Sequence, residues 1–142
     1  MREILFRGKC VDTGVWYEGF YIQLHKTTHC PIGDPERFPD NDIHQIVFER
    51  MTDWELPNQH LRVDVDPETV GQYTGLNDKN GKKIFEGDVI RVGGDIYACR
   101  WDEGNVEYIV SNKRESFGIA YAAYPCMEVI GNIHDNPELL ED

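Results

Sequence analysis

Apolar and polar positions along this chain alternate in short runs punctuated by Gly, Asn and Asp, the pattern of strands joined by tight turns. Residues 60–66 (His60-Leu61-Arg62-Val63-Asp64-Val65-Asp66) alternate residue by residue and predict a half-buried strand. Residues 3–11 and 15–22 flank Asp12-Thr13-Gly14 and predict a β-hairpin rich in aromatic and β-branched side chains. Residues 43–49 predict another strand, and residues 51–56 one helical turn capped by Thr52 or Asp53 and ended by Pro57. Between them, residues 26–42 carry Pro31, Gly33, Pro35 and Pro39 and read as a long loop suited to variation or partner contact.

The chain is organised around residues 70–92. Asp78-Lys79-Asn80-Gly81 is a turn sequence, because Asn and Gly tolerate positive φ. Glu86-Gly87-Asp88 is a second turn, with Gly87 in a conformation closed to residues bearing a Cβ, and it feeds the strand Val89-Ile90-Arg91-Val92. Gly93-Gly94 turns the chain into 95–101, and further strands are expected at 106–110, 117–124 and 127–133. Residues 136–140 fit a short terminal helix with Asn136 as N-cap and Pro137 at its first position. The expected fold is mainly β, a β-rich α+β chain. An N-terminal β-hairpin region (1–70) would precede a small C-terminal SH3-like barrel (71–142), or the two would form one continuous domain. The barrel comparison rests on F-x-G-D-V-I-x-V at 85–92, which is similar to the first long strand of SH3-like barrels.

Three stretches carry a family resemblance: Q-Y-T-G-L-x-D-K-N-G-K-x-I-F-E-G-D at 72–88, the opening Arg2-Glu3-Ile4-Leu5-Phe6-Arg7-Gly8-Lys9, and V-I-G-N-I-H-D-N-P-E-L-L at 129–140. Together they resemble the YopX-like family of small proteins encoded in phages and prophages. The resemblance implies an origin and a fold, and it carries over no catalytic residue.

Composition narrows the function classes. The chain has 142 residues, 40% of them hydrophobic, enough for one domain or a core domain with an appended subdomain. Its formal net charge of −12, spread evenly between the halves, argues against generalised phosphate binding. Cys10, Cys30, Cys99 and Cys126 form no C-x-x-C pair and read as reduced thiols. Met1-Arg2-Glu3 runs straight into a strand-like segment with no signal peptide, and no apolar run approaches the roughly 20 residues that span a bilayer. A cytoplasmic location in a bacterial host, without membrane association, follows as an expectation.

Candidate chemistry is sparse. His25-x-x-x-His29-Cys30 has imidazole and thiolate ligands, but Thr27, Thr28 and Pro31 disfavour the helix that would bring them together. No metal and no cofactor are expected. Trp16, Tyr17, Phe20 and Tyr21 offer either a stacking platform or ordinary strand packing, with packing favoured. Glu86 and Asp88 suit backbone hydrogen bonding around a turn better than acid/base work, Gly93-Gly94 lacks the Lys-Ser/Thr of a phosphate loop, and Ser111 and Ser116 lie in no nucleophile elbow. Lys79, Lys82 and Lys83 at a hairpin tip, with Arg91 and Arg100 and with Tyr73 to stack, form the one basic grouping.

These residues point to a non-enzymatic accessory or protein-binding module associated with a phage or prophage. An unidentified protein is the expected partner, and homo-oligomer formation is compatible with the sequence. The alternative is a nucleic-acid-binding module that uses the hairpin at 78–83, with Lys79, Lys82, Lys83, Arg91 and Tyr73 in contact.

Overall fold

The computed structural model describes residues 1–26, 42–120 and 126–141. It is mainly β, and its residues cluster into two compact units: Leu5–Val70, and Met1–Ile4 together with Gly71–Asp142.

In the unit Leu5–Val70, four strands pair antiparallel: β1 (Phe6–Lys9), β2 (Trp16–His25), β3 (Asp42–Arg50) and β4 (Gln59–Asp64), side by side in the order β4-β3-β2-β1. Register and alternation decide which side chains share a face. Phe6 lies opposite Gly19, Tyr21 opposite Ile46 and Ile46 opposite Val63, so these side chains line one face. Packing on that face is aromatic: Tyr17 meets Phe48 with ring centroids 5.0 Å apart, and Phe6 meets Tyr21 at 5.8 Å. The other face carries Phe20 opposite Val47 and Leu24 opposite Ile43. After β4, Asp66 accepts a hydrogen bond from the Glu68 amide and caps a 3₁₀ turn at Pro67–Thr69. Thr69 Oγ1 then accepts from the Lys9 amide at 2.9 Å, tying the end of the unit to its first strand.

The other unit holds β5 (Gly71–Asn77), β6 (Lys83–Phe85), β7 (Asp88–Val92), β8 (Asp95–Asp102), β9 (Glu107–Ser111), β10 (Ser116–Gly118) and β11 (Met127–Asn132). β5 pairs with β6, and the last five strands form an antiparallel sheet in the order β10-β9-β8-β7-β11. Ile84, Ile90, Tyr97, Cys99, Val110, Ile119 and Met127 make its core, with Leu76, Tyr108, Phe117 and Val129 packed around them. Gly87 has φ of 90°, which the turn between β6 and β7 requires. Asp88 is buried in that turn and accepts a hydrogen bond from the Phe85 amide at 2.8 Å, the backbone role expected of it.

β10 and β11 are the two ends of the five-stranded sheet, and the SH3-like barrel is not confirmed by any pairing among the described residues. Several local expectations need correction. The strand expected over 117–124 stops at Gly118, where the chain turns, and residues 121–125 lie outside the described residues. Residues 51–56 form no helical turn. The Asp53 side chain accepts from the Trp54 amide and Glu55 takes a positive φ of 65°, so a turn closes there instead. The terminal helix is a single 3₁₀ turn at Pro137–Leu140, and Asn136 makes no side-chain cap. Its carboxamide oxygen faces back to the Asn132 amide, at 3.4 Å.

Candidate functional site

The basic hairpin between β5 and β6 is held from inside by Asp78. Its carboxylate accepts hydrogen bonds from the amides of Asn80 (2.8 Å), Lys82 (2.9 Å) and, across to β11, Val129 (3.0 Å). The Lys79 amide donates to the Met127 carbonyl at 2.9 Å, a second tie to β11. Burial alone would raise the pKa of Asp78, but the three amides outweigh it and hold the carboxyl below its ordinary range. The hairpin's side-chain charges are largely matched. Lys79 and Arg91 both approach Glu128, at 3.5 and 3.8 Å, while Lys83 pairs with Glu3 at 3.0 Å and sits over the Tyr73 ring. Tyr73 is buried against Phe85, and its hydroxyl donates to Asn77, so no open stacking surface remains. Lys82 stays exposed. The five predicted residues therefore lie near one another without forming an open phosphate cradle.

Two concave surfaces stand out instead, one in each unit. In Leu5–Val70 a groove of about 540 Å³ opens on the Phe20 face of the sheet. Leu5, Trp16, Phe20 and Val47 supply its apolar lining, and Glu18, Glu49 and His60 its polar lining, with no lysine or arginine among the described residues. Phe20 is 64% exposed and Leu24, on the same face, 50%. Trp16 at the groove's end is covered by the Arg7 guanidinium, 5.0 Å from the ring centroid. Of the four aromatics, the Tyr17 and Tyr21 rings pack against Phe48 and Phe6 on the opposite face, while Trp16 and Phe20 lie on the groove face; Tyr17 also borders the groove.

In the other unit a cavity of about 670 Å³ lies on the face of the five-stranded sheet away from its core. Strand alternation puts Ile96, Ala98 and Arg100 of β8 on that face with Ser111 of β9. Leu139 and Leu140 of the terminal 3₁₀ turn form an apolar wall, seated where Gly131 leaves room; a Cβ there would come within 2.6 Å of Asn136 Oδ1. Lys113 and Arg114, in the turn between β9 and β10, complete the cationic side, with Asp95 the only carboxylate lining it among the described residues. That turn is built by Asn112, whose side-chain oxygen accepts from the amides of Arg114 (2.8 Å) and Glu115 (3.0 Å). The Asn112 side-chain Nδ2 donates to the Ile96 carbonyl, and Glu115 accepts from the Tyr97 hydroxyl at 2.6 Å. That hydrogen bond, aided by burial, pushes the Tyr97 pKa up to about 12.

The sequence groups Arg100 with the hairpin cations and gives Lys113 and Arg114 no site role. The signal was Asn112-Lys113-Arg114-Glu115, a polar turn with adjacent cations between two strands, but its closeness to 94–96 and 139–140 is a tertiary fact. The candidate metal ligands His29 and Cys30 lie outside the described residues. His25 Nδ1 is 2.6 Å from Asp42 Oδ1, and His44 shares a hydrogen bond with the Tyr21 hydroxyl. Among the described residues no group of three or more His, Cys, Asp or Glu side chains is placed to hold a metal ion, and no helix is long and apolar enough to cross a membrane. Cys10 and Cys99 are buried thiols and Cys126 an exposed one, none of them in a disulfide among the described residues.

Comparison with known proteins agrees with this architecture. No curated protein matches the chain. Among solved structures, the crystal structure of protein EF1440 from Enterococcus faecalis is similar, with a TM-score of 0.54 and 20% identity over 99% of this chain and 100% of that one. At that identity the likeness concerns the fold. The family model described as YopX protein matches residues 6–141, nearly the whole chain and all three motifs apart from the first residues of the opening one, and the chain belongs to the YopX family.

Proposed function

We propose that the protein is a non-enzymatic accessory module of a phage or prophage, working in the bacterial cytoplasm by binding another protein through the Phe20 face of β2 and β3. The observation that carries this reading is that face: a two-sided apolar sheet with one side in aromatic packing and the other presenting Phe20, Leu24 and a concave groove to solvent. Glu18 and Glu49 at the groove favour an extended partner segment that places an apolar anchor in the groove and Lys or Arg beside it. The nucleic-acid alternative draws less support, since Lys79, Lys83 and Arg91 already face Glu128 and Glu3.

Selection of a random-peptide display library on the full chain tests the proposal. Enrichment of apolar segments flanked by basic residues is expected, with enrichment lost on Phe20→Ser. A library that yields no convergent motif would count against the reading. So would sedimentation showing that the face is occupied by a second copy of the chain. For the alternative, salt titration of fluorescent oligonucleotides should show no appreciable binding near physiological salt, and tight binding abolished by the triple change Lys79→Ala, Lys82→Ala and Lys83→Ala would promote it.

A further inference from the structure

We propose that the cavity of about 670 Å³ on the outer face of the β7–β11 sheet binds a phosphate monoester with an apolar body. This is a small-molecule site, separate from the Phe20 groove. Charge is the first argument. The chain carries −12 overall, yet three cations, Arg100, Lys113 and Arg114, line this cavity against one carboxylate, Asp95. Lys79, Lys83 and Arg91 are matched by glutamates at 3.0 to 3.8 Å, whereas Arg100 and Arg114 make no ion pair with any described residue. Lys113 Nζ donates to the Glu141 backbone carbonyl at 3.1 Å, a neutral partner that positions the ammonium. Two guanidinium forks and an ammonium suit the three oxygens of a dianionic phosphate.

Rigidity is the second argument. A site preorganised before its ligand arrives loses less in ordering its side chains. The cationic turn is fixed by the Asn112 oxygen holding two successive amides, and by the Tyr97–Glu115 hydrogen bond at its far end. Shape is the third. The volume lies in the range of small-ligand pockets, and Ile96, Leu139 and Leu140 offer an apolar wall that inorganic phosphate would not use. A phosphate monoester with an aromatic or aliphatic body uses both sides of the cavity.

Phenyl phosphate, benzoate and inorganic phosphate are the probes, titrated into the full chain by calorimetry with amide NMR shifts as the site readout. Phenyl phosphate should saturate with Kd below about 1 mM at low salt, shifting amides at 94–96 and 111–114. Benzoate and inorganic phosphate should each bind about tenfold more weakly or worse. Affinity for phenyl phosphate should rise with pH through the phosphate's second ionisation near about 6, while benzoate affinity stays flat across it. Arg100→Gln and Arg114→Gln should each weaken phenyl phosphate about tenfold or more with the melting temperature unchanged, as expected for exposed side chains. No saturation, indifference to both substitutions, or equal affinity for benzoate would overturn the assignment. So would displacement of phenyl phosphate by a short oligothymidylate that binds more tightly, which would make the cavity a nucleic-acid contact.

Discussion

The two units use similar side chains to different ends. In the unit containing Gly71–Asp142, apolar residues of β6 to β11 converge on one cluster, with Ile84, Ile90, Cys99, Val110 and Met127 wholly buried. In Leu5–Val70, Cys10, Ile46 and Val65 are the buried hydrophobics among the described residues, while Val11, Val15, Phe20, Leu24, Met51, Trp54 and Leu56 stand in solvent. Hydrophobicity alone therefore does not make a core. A strand has two faces, and when apolar residues occupy both, packing one still leaves the other to be explained. That surplus is what the proposed binding role of the Phe20 face rests on.

The largest effect should come from cutting into the cluster. Ile90→Ala removes a fully buried side chain and should cost about 2–5 kcal/mol, seen as a large fall in the urea midpoint. Phe20→Ala should change stability by less than about 0.5 kcal/mol, since its ring is mostly exposed. Equal costs at the two positions would erase the contrast between the units.

A smaller loss, about 2–3 kcal/mol, is expected from Asp78→Ala, which strands the amides of Asn80, Lys82 and Val129. The same carboxylate sets an acid limit. Its folded pKa is depressed, so its contribution is complete above the unfolded value of about 3.9 and is lost as pH falls through the folded one. Acid titration of the parent should therefore show a stability loss below about pH 4 that is reduced in Asp78→Ala. Gly87→Val forces a branched residue to φ of 90° and should cost about 1–3 kcal/mol. An unchanged denaturation midpoint would mean that the turn between β6 and β7 relaxes freely.

Much of this architecture is legible in the sequence because its signals are local. Alternation at 60–66 marks β4 within two residues, and Glu86-Gly87-Asp88 marks the turn, its glycine φ and the backbone role of Asp88. What the sequence leaves open depends on distant partners. Whether five strands close into a barrel depends on pairing between the sheet's ends, which no single stretch encodes. The lysines at 78–83 look available in sequence, yet Glu128 and Glu3, which match Lys79 and Lys83, lie 49 and 80 positions away. Lys113 and Arg114 read as an ordinary polar turn until Leu139 and Leu140 are placed beside them. Trp16 and Phe20 were separable from Tyr17 and Tyr21 by parity alone, but which parity faces solvent is settled by the packing of Ile46 and Phe48.

The most direct test of the central claim, that the Phe20 face is a protein-binding surface, is a fluorescence-anisotropy titration of one library-selected peptide against three forms of the full chain. These are the parent, Phe20→Ser and the triple lysine-to-alanine variant of the hairpin. The account predicts saturable binding by the parent, at least about a tenfold loss for Phe20→Ser with its melting temperature kept, and no change for the hairpin variant. Undiminished binding by Phe20→Ser, or loss confined to the hairpin variant, would contradict it.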